Sequence, residues 1–289
     1  MFEIESYLAE KSALIDRALR KNLPPAGARP AVLHRAMRYS VLAGGKRLRP
    51  ILCLAAAKAV GGREEAALLP ALAVEILHTY TLIHDDLPCM DNDDLRRGKP
   101  TCHVVFGEAN ALLAGDALLT LAFEWLAGWL GTDNLIMELA RAAGSLGVIG
   151  GQAEDLAAEG KKPDKAKVEF IHLHKTAVLI KAAVRIGAMC GGAGKRQISA
   201  LSVYGTKAGL AFQIADDVLN ETSSPEQLGK AAGSDRARGK MTYVAVHGLE
   251  KAKAMAEKLA AEAKKELEKI SGNVEPLAEL VDYIVARKL

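Results

Sequence analysis

Residues 66–94 read AALLPALAVEILHTYTLIHDDLPCMDNDD, and the fold follows from how this stretch begins and ends. From Leu68 to Ile83 the residues are apolar over most of a helical circumference, the mark of a helix buried in a large protein. Pro88 disfavours helical geometry at Leu87, so the helix ends there. Asp85 and Asp86 then lie at a helix C-terminus, the wrong end for anions. With Asp91, Asp93 and Asp94 they make five carboxylates within ten residues. A divalent cation reverses both penalties, because magnesium takes hard oxygen ligands and shares its shell with substrate phosphates. A solvated acidic loop is the plainer reading, and five aspartates directly after a buried helix weigh against it.

Working outward, the apolar pattern is helical almost throughout. Three- and four-residue spacing marks 4–20, 31–43, 51–60, 66–87, 107–130, 134–150, 166–190, 197–219 and 249–288. Alternating strand-like runs are missing, and Val104-Val105-Phe106 is too short to build a sheet. Gly and Pro fall between the helices, and no polar linker interrupts the chain. The expectation is an all-α protein, a single domain over 1–289 with about ten helices.

Half of the 289 residues are hydrophobic, and the net charge is only +3. That balance argues against a nucleic-acid binder relying on a broad basic surface. The four cysteines, Cys53, Cys89, Cys102 and Cys190, show no C-x-x-C spacing. The N-terminus lacks the basic segment and apolar core of a secretory signal. No run approaches eighteen uninterrupted apolar residues, so no membrane span is expected. The expected setting is a reduced cytoplasm.

A second acidic pair, Asp216-Asp217, ends the apolar run LAFQIA at 210–215 and repeats the first arrangement, with Asn220 on the same helical face as Asp216. Cations cluster at GGKRLRP (44–50), at Arg96-Arg97, at Lys175-Thr176, and at Lys230 and Lys240. GGKRLRP lacks the Walker spacing of a nucleotide loop. Neither H-E-x-x-H nor G-x-S-x-G occurs. Carboxylates and cations with no evident nucleophile suit chemistry in which metals stabilise a departing diphosphate.

These motifs together give a resemblance. GGKRLRP (44–50), LIHDDLPCMDNDDLRRGKPTCH (82–103), GEANALLAGDALL (107–119), HKT (174–176) and FQIADDVLN (212–220) resemble the bacterial trans-isoprenyl diphosphate synthases. The closest likeness is to the short-chain farnesyl and geranylgeranyl diphosphate synthases, over nearly the whole chain. The resemblance implies antiparallel helices around a central cavity, a homodimer, small isoprenyl diphosphates as substrates and three magnesium ions per active site. Asp85, Asp86 and Asp91 would bind magnesium with the allylic diphosphate, and Asp216 and Asp217 would hold a further ion from the opposite wall. Lys46, Arg49, His78 and Arg97 would bind isopentenyl diphosphate. Arg96, Lys175, Thr176, Gln213, Lys230 and Lys240 would contact the allylic diphosphate. The chain departs from the family at Asn220, where the second motif, D-D-x-x-D, ends in aspartate; weaker support for the third metal is expected.

Product length should depend on residues below Asp85 on the same helix. Tyr80 lies five residues before it, about 7.5 Å along the axis, and Thr81 and Leu77 line the same side. In similar enzymes a bulky residue here is a floor, so Tyr80 favours farnesyl diphosphate (C15), with geranylgeranyl diphosphate (C20) as the alternative. The plainer reading packs Tyr80 in the core with its hydroxyl satisfied. Other functions to weigh are a terpene cyclase, which needs only one diphosphate site, and a non-catalytic helical subunit.

Overall fold

The computed structural model describes residues 2–128, 133–222 and 239–286. It is all-α apart from one minimal hairpin. The chain divides into two compact units, one built from 5–51 and 68–136, the other from 1–4, 52–67 and 137–289.

The first unit carries α1 (Ile4–Asn22), α2 (Ala31–Val41), the start of α3 (Leu48–Ala59), most of α4 (Glu64–Asp85), α5 (Cys102–Phe106) and α6 (Glu108–Ala127). Helix α4 is the expected buried helix and ends at Asp85. Its Ala71–Leu77 segment is buried throughout, including Glu75. A buried glutamate needs a counter-charge. Arg47, itself buried, supplies it at 2.7 Å, and also reaches Asp16 at 2.8 Å and the carbonyl of Val41 at 2.7 Å. Arg47 is therefore an internal tie, unlike its neighbour Lys46, which is exposed.

One feature was not expected. Leu95–Arg96 and Lys99–Pro100 pair as antiparallel strands β1 and β2. The two residues between them, Arg97 (φ 56°) and Gly98 (φ 72°), are both left-handed, as a two-residue hairpin of matching twist requires. Tyr39 donates to the carbonyl of Pro100 at 2.7 Å and fixes the hairpin to α2.

The second unit is organised by α11 (Lys195–Thr222), 28 residues long and so about 42 Å from end to end. The unit also holds most of α7 (Asp133–Ala143), α8 (Val148–Ala158), α9 (Lys165–Ile171), α10 (Val178–Cys190), α12 (Tyr243–His247), α13 (Leu249–Leu267) and α14 (Glu275–Ala286), of which α10, α12, α13 and α14 pack on α11. Small residues allow close packing: a Cβ on Gly205 would sit 2.8 Å from Cα of Lys181, and one on Gly209 would sit 2.6 Å from Cα of Ala177. Tyr204, fully buried, donates to the carbonyl of Leu277 at 2.7 Å.

Two expected spans divide. The run 134–150 breaks between α7 and α8 at Gly147, whose φ of −130° and ψ of −134° are not helical. The run 249–288 breaks between α13 and α14, where Gly272 passes against the carbonyl of Ala59. In the run 166–190, a π-helical stretch, His172–Ala177, separates α9 from α10. Helices α4 and α6 are each long and apolar enough to cross a membrane by length and composition. Two thirds of the apolar stretch of α4 is buried inside the protein, as in the core helix of a globular fold; α6 instead leaves Leu112 and Leu113 exposed.

Removing one partner of the buried pair tests this account. Arg47→Met should lower the unfolding free energy by about 3–5 kcal/mol, because Glu75 is left as an uncompensated buried charge. The exposed pair Arg63–Glu65 is the control, and Arg63→Met should leave urea unfolding nearly unchanged.

Candidate active site

In the first unit the acidic loop folds back on the end of α4. The N–H groups of Asp91 and Asp93 reach the carbonyls of Asp85 and Asp86 at 2.8 and 3.2 Å, and that of Asn92 reaches Leu87 at 3.1 Å. The last carbonyls of a helix have no partner within it, and here the following loop supplies them. Asn92 takes a left-handed φ of 52° to do so. Asp86 is buried and accepts a forked bond from Arg96, at 2.9 Å from Nε and 2.5 Å from Nη2. Burial nevertheless pushes its carboxyl up, with Asp93 and Asp91 adding to the push against the pull of Arg96. Asp85 and Asp91 are half-buried.

The cations gather beside this loop. Arg97 donates to the carbonyl of Gly44, and a Cβ on Gly45 would meet its guanidinium at 2.5 Å. The Gly44-Gly45 turn, with φ of 93° and 121°, therefore forms a seat for Arg97. Half-buried His78 is held neutral, well below the ordinary imidazole value, first by desolvation and then by Arg49, Arg97, Arg96 and Arg47. Desolvation lowers Arg97 as well, with Arg47 and Arg96 adding to it against the pull of Glu75. A bound polyanion would relieve this repulsion.

Tyr80 is buried against His84, ring centroids 5.6 Å apart. Burial and then Asp85 push its phenol up to about 12. Its hydroxyl has no hydrogen-bond partner, so the plainer reading of a satisfied core tyrosine does not describe it. Thr81 donates to the carbonyl of His78 at 2.8 Å.

In the second unit the π-helical stretch carries Lys175 and Thr176. Such wide turns recur at functional sites. Lys175 pairs with Asp155 at 2.6 Å, and Lys240 reaches the same oxygen at 3.3 Å. Burial alone would raise the Asp155 carboxyl, but the two ammoniums hold it below the usual range. Thr176 donates to Gln213 at 2.7 Å. Asp216 is exposed on α11, and Asp217 and Asn220 are buried. Lys230 lies outside the described residues.

Several residues here were not anticipated. Asp155 and Gln152, both buried, lie on α8, and Gln152 has both side-chain polar atoms without a partner. Gly151 brings α8 against the π stretch, where a Cβ would fall 2.2 Å from the backbone nitrogen of Lys175. The glycine pair in GGQAEDL, inside an apolar run, was the available signal. Buried His172 packs against Tyr243, ring centroids 4.9 Å apart and the planes tilted by 33°.

The donor set fits magnesium. No cage of three or more acidic, His or Cys side chains exists among the described residues. Magnesium does not need one: it uses one or two carboxylates plus water and substrate phosphates. Asp85 and Asp91, beside the Asp86 carboxyl that burial and then its acidic neighbours push up, supply that arrangement.

Comparison with known proteins agrees with this chemistry. The family model for polyprenyl synthetases matches residues 30–282. The chain belongs to the polyprenyl synthetase family. Geranylgeranyl pyrophosphate synthase 12, chloroplastic, of Arabidopsis thaliana is 48% identical over 99% of this chain and 82% of that protein. An FPP/GFPP synthase of Zymomonas mobilis, solved in the apo state, is 39% identical and superposes with a TM-score of 0.85 over 98% of this chain and 99% of its own. A Helicobacter pylori geranyltransferase complexed with magnesium and isoprenyl diphosphate is 34% identical, with a TM-score of 0.83 over 99% and 97%. The chain is thus a short-chain trans-prenyltransferase with the all-α isoprenoid synthase fold.

The buried groups make stability pH-dependent. The contribution of Asp155 is complete above the unfolded carboxylate value, about 3.9, and is lost as pH falls through its lower folded value. Burial of His172 lowers it to about 3, opposed by Asp155. The unfolded chain, with an imidazole near 6.5, therefore binds a proton that the folded chain refuses. Stability should fall as pH drops from about 6.5 toward that folded value. His172→Gln should make this decline shallower by up to about 1.4 kcal/mol per pH unit, read from urea unfolding at a series of pH values.

Proposed function

We propose that this protein condenses isopentenyl diphosphate with dimethylallyl or geranyl diphosphate and extends the chain to geranylgeranyl diphosphate. The observation that carries two-substrate chemistry is the seating of Arg97 on the Gly44-Gly45 turn, with Arg49 and Arg96 also acting on neutral His78, beside the acidic end of α4. A terpene cyclase has no use for a second diphosphate site. The C20 product is supported by the Arabidopsis relative, whose name gives that length. A C15 product is the second reading, and buried Tyr80 on α4 favours it.

Lys46, Arg49, His78 and Arg97 would bind the isopentenyl diphosphate. Its neutral imidazole lets His78 donate or accept without adding charge. Lys175, Thr176, Gln213, Lys240 and Lys230 would take the leaving diphosphate, with Arg96 orienting Asp86 beside it. Asp85 and Asp91, with Asp86, and Asp216 on α11 would hold three magnesium ions; bound there, these neutralise charge growing on the departing diphosphate. The allylic carbon–oxygen bond breaks and its electron pair leaves with the diphosphate. The double bond of isopentenyl diphosphate then forms the new carbon–carbon bond. The proton it loses goes to the released diphosphate, so no protein base is required. The whole chain, 1–289, would act as one catalytic domain. Its four cysteines are all free, in keeping with a cytoplasmic setting.

A homodimer is part of the proposal. Val104 and Val105 on α5 and Leu112 and Leu113 on α6 expose 46–54% of their surface, and a second copy would cover them. Leu112→Asp with Leu113→Asp should halve the mass measured by analytical ultracentrifugation; an unchanged mass places the interface elsewhere.

Incubation with magnesium, isopentenyl diphosphate and each allylic primer, followed by separation of the dephosphorylated products, tests the reaction. A C20 alcohol is expected. A C15 alcohol that lengthens in Tyr80→Ala would establish the second reading. Asp85→Ala with Asp86→Ala should abolish turnover while circular dichroism stays helical. A wild-type chain that elongates neither primer would point to a cyclase or a non-catalytic subunit.

A further inference from the structure

The second acidic pair occupies two different environments. Asp216 is exposed, whereas Asp217, the next residue of α11, is buried. Adjacent side chains on a helix diverge by about 100°, so they do not present one surface. Oδ2 of Asp217 accepts the backbone N–H of Tyr243 at 2.7 Å, and Oδ1 accepts from Nε2 of Gln213 at 2.9 Å. His172 brings Nε2 to 3.3 Å from Oδ2. The other end of the Gln213 amide accepts the hydroxyl of Thr176 at 2.7 Å. One carboxylate thus ties together three segments: α11 itself, the π-helical stretch and the first residue of α12. A cation bound directly to it would have to share oxygens already committed to the Tyr243 N–H and the Gln213 amide, on a buried side of the helix. Asn220 shares the burial of Asp217, not the exposure of Asp216.

We propose that Asp217 is the positioning residue of the diphosphate pocket and not a magnesium ligand. It sets the Gln213 amide, through that amide the Thr176 hydroxyl, and through the Tyr243 N–H the segment bearing Lys240; Asp216 is the carboxylate of the pair that meets the cation. The proposal rests on the prenyl synthase reading above for the identity of the ligand, and on hydrogen-bond geometry for the role. It also gives Asn220 a meaning: the missing charge spares the buried side a second carboxylate and removes no ligand from the exposed one.

Asp217→Asn and Asp216→Asn separate the two roles, because one amide cannot accept from both Tyr243 and Gln213. In EDTA, Asp217→Asn should lower Tm by about 3–6 °C, and Asp216→Asn should leave it unchanged or raise it. With magnesium, Asp217→Asn should raise KM for the allylic substrate at least tenfold. It should leave KM for isopentenyl diphosphate, and the magnesium concentration giving half-maximal rate, within about twofold of wild type. Asp216→Asn should shift the magnesium requirement. Gln213→Met added to Asp217→Asn should worsen the allylic KM little beyond the larger single effect, since both act through one amide. Should Asp217→Asn fail to fold, Gln213→Met alone must lower Tm in EDTA without moving the magnesium requirement. Three results overturn the proposal: an unchanged Tm in EDTA, a magnesium shift in Asp217→Asn matching that of Asp216→Asn, or a lowered Tm with no change in allylic KM. If the wild type does not elongate, the prenyl synthase reading falls separately. Calorimetry with inorganic diphosphate then decides, with weaker binding by Asp217→Asn expected and equal binding overturning the positioning role.

Discussion

A carboxylate on a buried helix must be answered by a donor, and how each acid is answered decides what it can do. Glu75 is closed off by Arg47 and serves the fold. Asp86 is met by the fork of Arg96. Asp155 holds two lysines at once. Asp217 is consumed by a backbone N–H and an amide. Asp85, Asp91 and Asp216 are less deeply buried, and these are suited to a cation that arrives with its substrate. A bound divalent ion is the counterpart that the helix C-terminus, with its negative dipole end, cannot itself provide.

The cations follow the complementary rule. Arg47 is satisfied internally, but Arg97, held by the carbonyl of Gly44, is lowered first by desolvation and then by Arg47 and Arg96, against the pull of Glu75. His78 is held neutral by burial first and by the surrounding guanidiniums after it. Assembling positive charge without an anion is unfavourable, and the fold pays for it through rigid backbone: the Gly44-Gly45 turn, the left-handed Arg97-Gly98 hairpin and the anchoring of that hairpin by Tyr39. Preorganised charge of this kind favours a diphosphate over a monoanion, because the repulsion relieved grows with the charge that arrives.

Much of this was legible in the sequence because the informative residues carry both a pattern and a chemistry. The apolar run to Ile83, Pro88 and the five aspartates located the end of α4 to within two residues. The second pair, Asp216-Asp217, was expected to end its helix; it instead lies within the long helix, which runs on to Thr222. What was not legible depends on residues far apart in the chain. Nothing near Asp155 says that Lys175 and Lys240 will meet on it, and nothing near Asp217 names Tyr243. The break at Gly147 and the π-helical stretch at 172–177 were hidden because helical periodicity survives a local change in pitch. The hairpin at 95–100 was missed because two-residue strands leave no alternation to read.

Product length shows where a single residue stops being sufficient. Tyr80 has the features expected of a floor: it is buried, it stands on α4 five residues before Asp85, and its hydroxyl has no partner. An unpartnered phenol in a dry site is unfavourable, so packing holds the side chain in place, not a hydrogen bond. Packing can yield where a hydrogen bond would not, and under the proposed reaction a growing apolar tail would displace a side chain that loses no polar partner when it turns. The orphaned hydroxyl is therefore compatible with a floor that gives way to a longer chain, which is how an aromatic residue at this position and a relative named for the C20 product can belong to the same active-site design.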